Sequence, residues 1–110
     1  MGRQSQRKGR DGERELAQVL QAHGYDAQPG DPLNFGAMPD VVGVDGLHIE
    51  CKRHERLEVS KWYEQAANDA ERMQDGLPVV CYRQNRKPWM VLLSLEDFLT
   101  LTAARRDDNG

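Results

Sequence analysis

The chain has 110 residues, of which 38% are hydrophobic and 30% charged, the balance of one soluble domain with a single modest core. No apolar run approaches the roughly 20 residues a membrane span needs, and no signal peptide is visible, so a protein kept in the cytoplasm of its cell or host is expected. The net charge of −3 argues weakly against nucleic acid, yet Arg3, Arg7, Lys8 and Arg10 crowd the first ten residues and Arg83, Arg86 and Lys87 form a second basic cluster. Local fields of this kind can hold a phosphate backbone.

In chain order, residues 1–10 read as a basic, mobile arm, residues 11–104 as one domain and residues 105–110 as a polar tail. From about Asp11 the pattern is helical: Leu16, Val19, Leu20 and His23 recur on one face, and Gly24 stops it. Residues 25–28 suit a short strand, and "PGDPLNFGAMP" a loop. "DVVGV" and "LHIECK" are strand-like runs around Asp45-Gly46, a strong hairpin signal. Ser60 can cap a second helix that runs to about Asp75, with Gly76 and Pro78 ending it. Ala66, Ala67 and Ala70 suit a helix lying close on a sheet. "PVVCYR" and "WMVLLS" give two more strands joined by "QNRK", and Ser94 to Asp97 opens a short last helix through about Leu101. The order is helix, three strands, helix, two strands, helix. That predicts an α/β fold with a mixed β-sheet flanked by helices, because a helical crossover separates the middle strands. Cys51 and Cys81 form no CxxC pair and sit in apolar runs, so both are expected reduced and buried, not bound to zinc.

Side chains alternate along a strand, so Leu47, Ile49 and Cys51 face the core while His48, Glu50 and Lys52 share the opposite face. Whether Asp40 joins the second set depends on the turn. A two-residue Asp45-Gly46 loop sets Val41 across from Glu50 and turns Asp40 away. A three-residue Val44-Asp45-Gly46 loop with a glycine bulge, or an equivalent bulge nearby, sets Asp40 across from Glu50. Gly46 can supply the left-handed conformation this needs, and that register is the expectation.

Two neighbouring carboxylates repel and raise each other's pKa. A hard divalent cation removes the cost, and carboxylate oxygens with water suit Mg²⁺ or Mn²⁺ better than zinc or copper. A lysine beside the metal can serve an attacking water or stabilise charge on a phosphoryl group, which is the chemistry of phosphodiester hydrolysis. The plainer alternative is a surface hairpin with a solvated Glu50–Lys52 stripe. Glu13 shares a helix face with Leu16 and Leu20 and can point at the sheet, whereas Asp11 and Glu15 read as solvent-facing acids. A lone strand histidine such as His48 is ordinarily packed or hydrogen-bonded. Trp62 and Tyr63 read as core or dimer contacts, and Trp89 as packed.

Pro39-Asp40, nine intervening residues, then Glu50-Cys51-Lys52 is similar to the signature of the PD-(D/E)xK nuclease superfamily. "KGRDGERELAQVLQAHGYDA" resembles the opening helix of the archaeal-type Holliday-junction resolvases. The likeness spans roughly residues 8–93. It implies a restriction-endonuclease-like fold and a Mg²⁺-dependent DNA endonuclease acting on branched DNA as a homodimer. It also implies Asp40, Glu50 and Lys52 as the catalytic core, with Glu13 as a helix-borne acid near the metal and the main-chain carbonyl of Cys51 as a further ligand. Arg14 matches the family's arginine and Gln65 a glutamine that follows the ExK strand, and the likeness implies both at the DNA. Lys8, Arg10, Arg83, Arg86 and Lys87 are the expected phosphate contacts. The chain lacks the strongly basic balance of archaeal resolvases, and its loop before Asp40 only partly supplies their serine-glycine element. A nuclease for duplex or flapped DNA, or a non-catalytic binding module on the same fold, are the alternatives.

Overall fold

The structure, a computed structural model, describes residues 2–30 and 38–109. The stretch expected as a loop before Asp40 lies mostly outside the described residues. Its elements are α1 (Gly2–Ala22), β1 (Gln28–Pro29), β2 (Val41–Val42), β3 (Leu47–Arg53), α2 (Val59–Met73), β4 (Leu77–Arg83), β5 (Met90–Leu92) and α3 (Leu95–Asn109). The five strands lie in sequence order across one sheet. Strands β1, β2 and β3 pair antiparallel, α2 carries the chain over to a parallel β4, and β5 returns antiparallel. This is the mixed sheet that the order of elements requires.

Alternation along β3 and β4 divides the apolar side chains between two faces. Ile49, Val79 and Cys81 join Leu16 and Ala17 of α1, with Ala27 and Val41, in the larger core. Val80 packs with Trp62 and Ala66 of α2 on the other face, covered by Tyr82 and Leu92. In the parallel register Glu50 lies beside Val80 and Lys52 beside Tyr82. The acid and the lysine of β3 therefore look toward α2, and Glu50 is buried at 6% exposure.

The β2–β3 hairpin decides where Asp40 points. Leu47 donates its N–H to the Val44 carbonyl at 3.2 Å, closing a tight turn over Asp45-Gly46. Continued regularly, that turn would pair Val41 with Glu50. Val41 instead pairs with Ile49, so the first strand holds one extra residue. Gly43 lies between turn and ladder at φ 104°, a conformation that costs a residue with a Cβ and is free to glycine. An added Cβ there would also collide with the backbone of Asp26 and Ala27. The turn is thus the two-residue one and not the three-residue loop expected; the extra residue is a bulge at Gly43, and it brings Asp40, next before the Val41–Ile49 pair, to Glu50.

Three boundaries differ from the sequence pattern. Helix α1 starts at Gly2 and takes in the residues expected as an arm. Arg, Lys and Gln are good helix formers, so the helix continues without an apolar stripe. Helix α2 is not capped by Ser60. Glu58 has the non-helical backbone at the start, with no side-chain cap, and Gln74 ends the helix in the left-handed conformation, its N–H bonded to the Ala70 carbonyl. Helix α3 opens as expected, with Ser94 Oγ accepting from the Asp97 N–H at 3.1 Å. It then runs on through Ala103, Ala104, Arg105 and Arg106 to Asn109 and absorbs the tail. Among the described residues no helix is long and apolar enough to cross a membrane.

Candidate active site

Asp40 is held by its backbone from both sides. Its N–H donates to the Ile49 carbonyl at 3.1 Å, and its carbonyl accepts from Gly30 at 2.8 Å. Gly30 passes so close to Pro39 that a Cβ would strike the Pro39 carbonyl. The side chain is fixed as well: Asp40 Oδ2 accepts the Cys51 N–H at 2.8 Å. Amide and carbonyl of one strand residue point to the same edge, so the Cys51 carbonyl is directed to the edge where Asp40 lies.

The electrostatics are those of crowded acids. Burial, then a hydrogen bond and charge repulsion from Glu50, push Asp40 up to about 8, and Glu13 adds to the rise. Glu13 is raised in turn by burial and by Glu50, against the pull of Arg10. Burial also opposes ionisation of Glu50, but hydrogen bonds from His48 and Asp40 and the nearby charge of Lys52 outweigh it, and its pKa falls. Asp40 is thus the proton-bearing partner and Glu50 the carboxylate. A cavity of about 450 Å³ opens here, lined by Glu13, Asp40, Cys51, Lys52 and Arg53 among others.

Glu13 and Asp40 line this cavity with Cys51, and Glu50 hydrogen-bonds Asp40 behind them; Glu13 and Asp40 are raised by burial and by the charge of Glu50. That donor set fits a hard divalent cation. Lys52 Nζ is steered by Gln65, whose Oε1 accepts from it at 3.2 Å. The Cys51 thiol is itself driven up by burial and by the acids around it, and the Cys81 thiol is pushed up to about 11 by burial. Both cysteines are free, as expected; Cys81 is buried, whereas Cys51 is only partly so.

Other expected residues fall elsewhere. Arg14 is exposed and lies 4.0 Å from Asp11. Arg10 is exposed as well, and the side chain of Lys8 lies outside the described residues. Arg83 turns inward to an ion pair with Glu15, and its Nε donates to the Lys87 carbonyl at 2.7 Å. Glu15 is therefore no free surface acid; it also accepts from Trp89 Nε1 at 3.0 Å. The turn after β4 is fastened to β3 by Arg53 on Asn85 and by Glu55 on the Asn85 N–H. This leaves Arg86 and Lys87 exposed at its tip.

Sequence reasoning gave His48 no role at the site. It is fully buried and lies between two carboxylates, Glu50 on one side and Asp75 on the other. Its place on the Glu50 face was visible from alternation, but Asp75 lies 27 residues on and no local pattern links the two. Ligand atoms of His48, Glu50 and Asp69 also lie within 4.8 Å of one another. Both ring nitrogens of His48 are already engaged, so the oxygens around Asp40 are the better seat for a cation.

A mixed sheet carrying Asp40, Glu50 and Lys52 on one face beside a helix-borne acid defines a nuclease of the PD-(D/E)xK kind. The family model described as "Phage putative PDDEXK endonuclease" matches residues 33–108, and the chain belongs to that family. Its fold is similar to that of Hjc, a Holliday junction resolvase from the archaeal hyperthermophile Archaeoglobus fulgidus. That likeness has a TM-score of 0.59 and 25% identity, and covers 78% of this chain and 72% of the other. Comparison with curated proteins finds no match.

Proposed function

We propose that the protein is a divalent-metal-dependent DNA endonuclease, with Mg²⁺ as the metal and Mn²⁺ able to replace it. The observation that carries this is the Asp40–Glu50 pair, Glu50 buried and Asp40 half-buried, brought together by the Gly43 bulge with Lys52 one pleat away. Asp40, Glu50 and the Cys51 carbonyl would hold the cation, with Glu13 assisting directly or through water. The bound cation lowers the pKa of a coordinated water and offsets charge on the phosphoryl oxygens. Lys52, steered by Gln65, orients the attacking water or stabilises the developing negative charge. Asp40, raised by burial and by Glu50, would have to be ionised to serve as a ligand, which a divalent charge beside it would favour. Arg10, Arg14, Arg86 and Lys87 are the candidates for phosphate contacts; Arg83 anchors the turn that presents two of them.

Branched DNA is the substrate suggested by the likeness to a Holliday junction resolvase. Symmetric cutting of a junction calls for two sites, hence a homodimer. Helix α3 and β5 supply a surface for one: Val91, Leu95, Phe98 and Leu99 are 60%, 71%, 49% and 53% exposed, an apolar patch of the kind that marks protein contacts. Junction, flap and linear duplex substrates incubated with Mg²⁺ test the reading, with Asp40→Ala as control. Paired symmetric cuts confined to the junction are expected. Equal cutting of all three makes the protein a general nuclease, and tight binding without cleavage, unchanged by Asp40→Ala, overturns the enzymatic assignment.

A further inference from the structure

His48 is a fully buried side chain with carboxylate oxygens on both ring nitrogens. Nε2 lies 2.8 Å from Glu50 Oε1. Nδ1 lies 2.8 Å and 2.9 Å from the two oxygens of Asp75. A carboxylate only accepts, whereas neutral imidazole has one donor and one acceptor nitrogen. With Glu50 and Asp75 both as carboxylates, the ring satisfies them by donating from both nitrogens. Asp69 is the third acid beside the ring, and Arg72 faces Asp69 at 3.3 Å. Lys52, on the same strand face, contributes a cation on the opposite side of Glu50.

This clamp acts on the acid that must meet the cation. Glu50 Oε1 is taken by His48, which fixes the carboxyl rotamer, while the same carboxyl hydrogen-bonds Asp40. Asp75 in turn sets the angle of the imidazole. It occupies the turn after α2, between the left-handed Gln74 and Gly76, where Gly76 packs against the Gly46 backbone. The end of α2 and the tip of the catalytic hairpin are thereby tied together.

We propose that His48 is a positioning residue which, donating to Asp75 and to Glu50 from its two ring nitrogens, fixes the Glu50 carboxyl in the orientation that meets the cation. The inference rests on the nuclease reading above. Partners that orient a metal-binding group typically contribute about 10–100-fold to metal affinity. Asp75→Ala is the informative variant, because its side chain is 30% exposed and sits in a turn outside both cores. Calorimetric binding of Mn²⁺ to the metal-stripped protein and ¹⁵N spectra of the His48 ring at one fixed neutral pH are the readouts.

Wild-type protein should show protons on both ring nitrogens. Asp75→Ala should bind Mn²⁺ about tenfold more weakly, and Asp75→Asn, which keeps one accepting oxygen, should recover part of the loss. A thermal melt that falls while Mn²⁺ affinity stays native overturns the proposal, as does a ring with one bare nitrogen. Glu50→Gln separates the two levels. If it abolishes Mn²⁺ binding while Asp75→Ala changes nothing, the clamp fails and the metal site stands. If the wild type binds no Mn²⁺ and Glu50→Gln makes no difference, both fail.

Discussion

Replacing Asp40 by Asn in the metal-free protein should make the fold more stable at high pH. Asp40 moves from an ordinary 3.8 to about 8 on folding, first through burial and then through Glu50. A carboxyl raised in this way carries no penalty below 3.8, where folded and unfolded chains are both protonated. The penalty builds as pH climbs and is complete above about 8. At about 1.4 kcal/mol per pH unit the ceiling is near 6 kcal/mol. Glu50 shifts the other way and offsets part, so the stability gap between the two proteins should widen by about 2–4 kcal/mol from pH 5 to pH 9. For a chain of this length that is roughly 10 °C in melting temperature. Asn can still accept the Cys51 N–H, so the backbone contact survives. His48 also has its pKa raised: burial opposes its charge, but Glu50 and Asp75 prevail. Its stabilisation is likewise lost as pH rises, but in both proteins alike, and the difference isolates Asp40. The assay is thermal melting in EDTA at pH 5 and pH 9. Melts of wild type and Asp40→Asn that move in parallel with pH would refute the buried-acid reasoning.

Lys52→Ala should lower the rate of cleavage by about 10²–10⁴ in single-turnover assays while leaving Mn²⁺ binding close to native, since the lysine acts on the reacting groups and not as a ligand. Arg83→Ala should cost on the order of 1 kcal/mol in a denaturant melt, its ion pair with Glu15 being only partly shielded, with no change in DNA affinity measured in Ca²⁺. Lys87→Gln should do the reverse, leaving the melt unchanged and reducing the salt slope of DNA binding by about 1. Phe98→Asp, placed in the exposed apolar face of α3, should shift the protein to monomer in sedimentation velocity without unfolding it.

Much of the site was legible because it is local. Alternation in Leu47–Arg53 assigned Glu50 and Lys52 to one face, and the Asp45-Gly46 signal located the hairpin. The register needed more than propensity: it followed from asking which loop length would bring two acids together, and a bulge at Gly43 meets that condition. Contacts distant in sequence were not legible. Glu15 seemed a surface acid because its partners, Arg83 and Trp89, lie 68 and 74 residues away. Asp75 looked like a helix terminator, and nothing in its neighbourhood points to His48. Helix ends were misjudged for a different reason. Segments rich in Arg, Lys, Gln and Ala can extend a helix beyond the core, where no apolar period marks them.

The Gly43 bulge makes the hairpin a counter of odd and even. Deleting or inserting a single residue between Asp40 and Glu50 reverses the parity and swings the aspartate to the far side of the sheet, however mild the change in sequence. Adding or removing two residues keeps it. Relatives of this chain are free to lengthen that connection only in paired steps, unless a second irregularity restores the count.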